Sequence, residues 1–131
     1  MRGVNAFYRR VAEKFAQRLV EKVDGAIEAV ILYGSVAKKR ARRDSDIDLL
    51  VISQDPGLRE HIFDISYDLD EEHNFDVFVS TFTVTPQQLS RGLSRGSPLM
   101  WRVMEEGIAL YDQGTFQGLH QELLGSSPRS P

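Results

Sequence analysis

Val4, Phe7, Tyr8, Val11, Phe15, Leu19 and Val23 fall on one helical face, with Arg9, Arg10, Glu13, Lys14, Arg18, Glu21 and Lys22 on the others. The spacing predicts an amphipathic helix from Val4 to Val23, ended by Asp24-Gly25. "AIEAVILYG" (26–34) then reads as a strand rich in β-branched residues and stopped by Gly34. "SVAKK" suits a short helix, and "DIDLLVIS" (46–53) is a strand apolar on both faces beyond Asp48, hence central in its sheet. Asp55-Pro56 is a cap signal for a helix carrying Leu58, Ile62, Ile65 and Leu69 and running to about Glu71. "NFDVFVSTF" (74–82) alternates as a third strand. Thr85-Pro86 and Ser97-Pro98 open two further helices, one with Leu89 and Leu93, the other with Met100, Val103 and Met104. Gly107 ends the latter, and "IALYD" (108–112) reads as a short edge strand. The order predicts an α/β fold, a small mixed β-sheet packed against helices in a single domain over 1–112. Residues 113–124 are expected as a helical or irregular extension and 125–131 as a disordered tail.

Composition narrows the class without naming a function. At 131 residues, 41% hydrophobic and 27% charged, the chain suits one globular domain. A net charge of −3 disfavours a general nucleic-acid binder. The basic character is local: Lys38, Lys39, Arg40, Arg42 and Arg43 share one loop, suited to a triphosphate, an RNA acceptor or an acidic partner, or simply to solvent. Cysteine is absent, which excludes disulfides and thiolate chemistry. Charges near the N-terminus argue against a signal peptide, and no apolar run approaches the roughly 20 residues of a membrane helix. A cytoplasmic protein is expected. His61, His73 and His120 lack a ligand spacing, Tyr8 and Phe15 suit a core better than a base-stacking platform, and Met100 and Trp101 suit a partner surface, with Val103 and Met104 better read as core.

The chemistry concentrates in "GSVAKKRARRDSDIDLLV" (34–51). Alternate residues of a strand share a face, so Asp46 and Asp48 point the same way, about 6.6 Å apart along it. Two carboxylates so placed repel unless a hard cation such as Mg²⁺ lies between them. Gly34-Ser35 sits between a strand and a helix start, where a glycine permits close approach of a phosphate and serine offers a hydroxyl and an N–H. Asp76 falls in the third strand, where aspartate is disfavoured, and is expected to face inward beside the pair. Each feature alone is commonplace; together they make a plausible two-metal site.

The segment resembles the G-S-x(10)-D-x-D signature of the DNA polymerase β-type nucleotidyltransferases, and within them the minimal nucleotidyltransferases encoded beside a HEPN-domain partner. The Gly34-to-Asp46 spacing, Ser45, "IDLLV" and the later carboxylate in "FDVFV" carry the likeness. The resemblance implies that Asp46 and Asp48 bind two Mg²⁺ ions (or Mn²⁺), and that Asp76 ligates the catalytic one and assists deprotonation of the acceptor hydroxyl. It implies Gly34 and Ser35 as the phosphate cradle, with Lys38 and Ser45 as further nucleotide contacts. The activity implied is transfer of an NMP, AMP from ATP, to a hydroxyl on a HEPN-type toxin. The alternatives are a toxin-neutralising module without catalysis and a nucleotidyltransferase of small molecules such as aminoglycosides. Many relatives read G-S-x-A-R-G; here Lys38 keeps the charge, but Lys39 replaces the glycine, which puts the loop geometry in doubt. An exposed edge strand would also open the way to a homo-oligomer.

Overall fold

Ile47, Leu49, Leu50, Val51 and Ile52 are all fully buried, as a strand covered on both faces requires. The computed structural model describes residues 2–23, 25–42, 46–74, 76–126 and 128. These form α1 (Arg2–Lys22), β1 (Ile27–Tyr33), α2 (Gly34–Ala37), β2 (Ile47–Ser53), a 3₁₀ turn (Pro56–Leu58), α3 (Arg59–Glu72), β3 (Val79–Val84), α4 (Pro86–Ser94), α5 (Pro98–Glu106), β4 (Ile108–Asp112) and α6 (Thr115–Leu124). The sheet runs β3-β2-β1-β4, with β2 parallel to β3 and the other pairs antiparallel. It is the mixed sheet expected, with β2 central and β4 at an edge.

Alternation along the strands sorts their side chains into two cores. Val30, Leu32, Leu49, Val51 and Val79 pack with Phe15 and Leu19 of α1 and Ile62, Ile65 and Leu69 of α3. Ala29, Ile31, Leu50, Ile52 and Val84 pack with Leu89 of α4, Val103 and Met104 of α5 and Phe116 of α6. Tyr8 and Phe15 are therefore core residues. The fully buried Phe116 makes α6 part of the second core. Gly125 closes α6 at φ +67°, and the Ser126 carbonyl accepts a hydrogen bond from His120 Nδ1 at 2.7 Å, so the first two residues of the expected disordered tail are held; Pro128 is the other one described.

The cap signals act as read. Asp55 accepts from the Gly57 N–H at 2.8 Å. Thr85 and Gln88 form a reciprocal capping box, and Ser97 accepts from the Met100 N–H. Trp101 is occupied within this pair of helices, its Nε1 donating to the Leu93 carbonyl at 3.0 Å. Met100 fills space beside Gly92, where a Cβ would collide with its sulfur.

The third strand differs from expectation. It begins at Val79 rather than 74, and Asp76 lies in the segment leading to it, outside the strand and exposed, while its neighbour Val77 is buried. The partner strand explains the shift. β2 begins at Ile47, whose N–H donates to the Phe78 carbonyl, so residues before 78 have no neighbour with which to form a ladder.

On the first face, the Arg18 guanidinium grips Glu72 with both nitrogens, at 2.5 and 3.0 Å, and joins α1 to α3. The hydrogen bond to Arg18 holds the Glu72 carboxyl below its usual range. The clamp thus contributes stability above the ordinary glutamate pKa and loses it as pH falls through the depressed value. Thermal unfolding should place Arg18→Gln slightly below wild type at neutral pH, with the two converging once Glu72 protonates.

Candidate active site

The end of β1 and the start of β2 are paired, Tyr33 opposite Asp48, so the chain leaving β1 at Gly34 passes directly by Asp48. Gly34 has φ +79°, and a Cβ there would collide with Asp48 Oδ2. Glycine is therefore required twice, for its backbone conformation and for the carboxylate beside it. Ser35 follows in the first turn of α2 and is half-buried. Asp48 is the second residue of β2 and half-buried, while Asp46 lies just before the strand and is exposed.

Burial pushes the Asp48 carboxyl above its usual range, and the Asp46 charge pushes it further; Arg102 of α5 pulls the other way. The Tyr33 phenol is raised by burial and by Asp48, again opposed by Arg102. Arg102 is a member of the site that sequence reasoning missed. It is exposed on α5, one turn before Glu106, and nothing in its local sequence ties it to Asp48.

The basic loop is anchored rather than loose at its near end. Asn5 of α1 donates to the Val36 carbonyl at 3.3 Å and accepts from the Ala41 N–H at 3.2 Å. The Arg40 N–H donates to the Ser35 carbonyl at 2.8 Å. Lys38, the expected phosphate contact, has its Nζ 3.0 Å from Glu106 Oε2. Lys39 adopts φ +59°, a left-handed conformation that glycine takes without strain and lysine takes at a cost. Ser45 and Arg43 lie outside the described residues.

The structure thus brings Gly34, Ser35, Asp46 and Asp48 to one end of the sheet, and adds Arg102 and the Lys38–Glu106 pair. Asp76 does not join them as a third inward carboxylate. It borders a recess with Val4, Phe7 and Tyr8, and among the described residues no three His, Asp or Glu side chains are grouped to hold one metal ion. The Asp46–Asp48 pair nonetheless fits a hard divalent cation: two carboxylates repel here, one is raised by burial, and a cation between them would relieve both costs.

A family model described as "Polymerase beta, Nucleotidyltransferase" matches residues 13–115. A protein of Methanocaldococcus jannaschii, named a putative protein adenylyltransferase, is 28% identical over 109 residues, covering 81% of this chain and 73% of that protein. Among solved structures, a chain of a toxin–antitoxin complex with AMP-PNP aligns at TM-score 0.55 and 19% identity, over 86% of this chain and 84% of that one. A chain of a mutant MntA–HpeT toxin–antitoxin complex aligns at TM-score 0.58 and 16% identity, with the same coverage. These likenesses establish the fold. No described helix is long and apolar enough to cross a membrane.

Two substitutions probe the site without reference to a substrate. Lys39→Gly should stabilise the protein by roughly 0.5–1 kcal/mol in denaturant unfolding, because the left-handed strain removed exceeds the added backbone entropy. Asp48→Asn should raise Tm in metal-free buffer, most clearly at neutral pH. A carboxyl whose folded pKa is raised costs stability as pH climbs through the ordinary aspartate range toward the raised value, and asparagine removes that cost. Fold, motif and family model agree: the chain belongs to the polymerase β-type nucleotidyltransferase family.

Proposed function

We propose that this nucleotidyltransferase is metal-dependent and transfers AMP from ATP to a hydroxyl of a partner protein, a HEPN-type toxin. The observation that carries the reading is the juxtaposition of the Asp46–Asp48 pair with the glycine of the Gly34-Ser35 turn. The relative named for protein adenylylation and the neighbour solved with AMP-PNP support the donor and acceptor classes. The toxin–antitoxin context of the structural neighbours supports the choice of partner. The cytoplasm, where ATP is abundant, is the compartment we assign.

In this reading Asp46 and Asp48 hold Mg²⁺. A metal held there would supply positive charge to offset the negative charge of the transferred phosphoryl group. Gly34 leaves room for the Asp48 carboxylate, and Ser35 is assigned to offer its hydroxyl and N–H to phosphate oxygens. Arg102 holds positive charge beside Asp48 and is assigned to the nucleotide's phosphates. Lys38 competes between Glu106 and the same phosphates. Asp76 precedes Phe78, which bonds to Ile47, so it enters from the same end of the sheet and is assigned to proton removal from the acceptor. Ser45 is assigned to the nucleotide on the motif alone. Lys39 takes a left-handed conformation that a glycine would also take, so its presence alone is no argument for a purely neutralising module. A small-molecule acceptor remains the alternative substrate class.

The test uses ATP labelled at the α-phosphate, Mg²⁺ and the co-expressed HEPN-type protein. Label should pass to that protein, and Asp46→Asn or Asp48→Asn should lower the rate at least about 10²-fold, several kcal/mol of transition-state stabilisation. Asp76→Asn should also lower it. Transfer unchanged in the Asp46 and Asp48 variants would sink the mechanism. Toxin neutralisation that survives both, without label, would favour the neutralising module.

A further inference from the structure

The two edges of the sheet are treated differently. β4 is short, its pairing with β1 slips between Val30 and Ile31, and it ends at Asp112. Slips and charges of this kind discourage further pairing. β3, "VSTFTV", has no charge and no proline, and it keeps an unbroken register with β2 from Val79 to Val84. Because Phe78 bonds to Ile47, the even-numbered residues direct their backbone groups to β2. Those of Val79, Thr81 and Thr83 face the open edge.

Aromatic side chains flank that edge on both faces. Phe63 and Tyr67 of α3 are 67% and 48% exposed, and their rings stack at 6.3 Å. Phe78 and Phe82 are 59% and 43% exposed. A groove of about 780 Å³ follows the strand between them, reaching Arg59 and Asp70 at opposite ends of α3.

We propose that this edge pairs with the same edge of a second copy, β3 antiparallel to β3, about a two-fold axis at Thr81. This register alone matches every outward-facing residue, placing Thr81 opposite Thr81 and Val79 opposite Thr83, with two backbone hydrogen bonds per pair. Phe82 then lies diagonal to Phe78 and Phe82 of the other copy, within aromatic reach. A two-fold normal to the sheet sets the two α3 helices antiparallel on one face. On that face α3 follows the groove along the edge, and its exposed Phe63 and Tyr67 are the side chains that a second copy would cover. Antiparallel α3 helices also bring Arg59 of each copy toward Asp70 of the other. Self-complementary charge of this kind marks an isologous contact and selects a second copy over an unrelated peptide.

Sedimentation velocity on the full chain without nucleotide tests the pairing. Wild type should sediment as a dimer at tens of micromolar. Thr81→Pro, which removes an N–H from the open edge and none from the β2 ladder, should be monomeric with an unchanged circular dichroism spectrum. Phe82→Lys, at an exposed position, is the second variant and should behave alike. Arg59→Asp and Asp70→Arg should each weaken the dimer at least tenfold, and the double exchange should restore it. A wild type that stays monomeric, a folded Thr81→Pro or Phe82→Lys protein that stays dimeric, or a charge exchange without rescue would overturn the proposal.

Discussion

Asp48 is held half-buried in β2 with the Asp46 charge two residues away, and burial first and like-charge repulsion second make its carboxylate the costly group at this end of the sheet. The protein tolerates the cost because its surroundings are shaped to it. Gly34 contributes no Cβ where one would strike the carboxylate, and Arg102 approaches from α5 with partial compensation. The unrelieved part of that repulsion is what a divalent cation would remove. In the proposed function the local cost at this site is what metal binding would recover, as is common where function and stability compete.

The rest of the fold serves to hold that arrangement still. β2 is anchored on both sides, antiparallel to β1 and parallel to β3, and it is buried on both faces. Rigidity at its N-terminal end fixes Asp48 against Gly34. On one face Asn5 of α1 bonds both Val36 and Ala41, so the helix that covers the first core also pins the basic loop. On the other face α5 delivers both Arg102 and Glu106 to the site. Two separate cores thus meet at the Gly34-Ser35 turn.

Much of this was legible in the chain because the relevant signals are local. Seven apolar positions on one face announce α1, the Thr85 and Ser97 caps announce α4 and α5, and the continuous apolar run of β2 announces a central strand. The Gly34-Ser35 and Asp46-x-Asp48 elements lie so close together that a single hairpin-like pairing brings them into contact. What escaped depends on neighbours. Asp76-Val77-Phe78 alternates like a strand, yet a strand exists only alongside a partner, and β2 supplies none before Ile47. Arg102 and Glu106 reach the site only because α5 packs against the second face, which no spacing within α5 reveals. Lys39 was visible as a departure, but only the backbone shows that it adopts a left-handed conformation open to glycine without strain.

The coupling between repulsion and cation at Asp46 and Asp48 is the claim on which the rest stands. Thermal unfolding of wild type and Asp48→Asn, each with and without Mg²⁺ and AMP-PNP, measures it directly through the stabilisation that a ligand confers on the folded state. The account predicts a clear rise in Tm on ligand addition for wild type and little or none for Asp48→Asn. Equal ligand-induced shifts in the two proteins would contradict it.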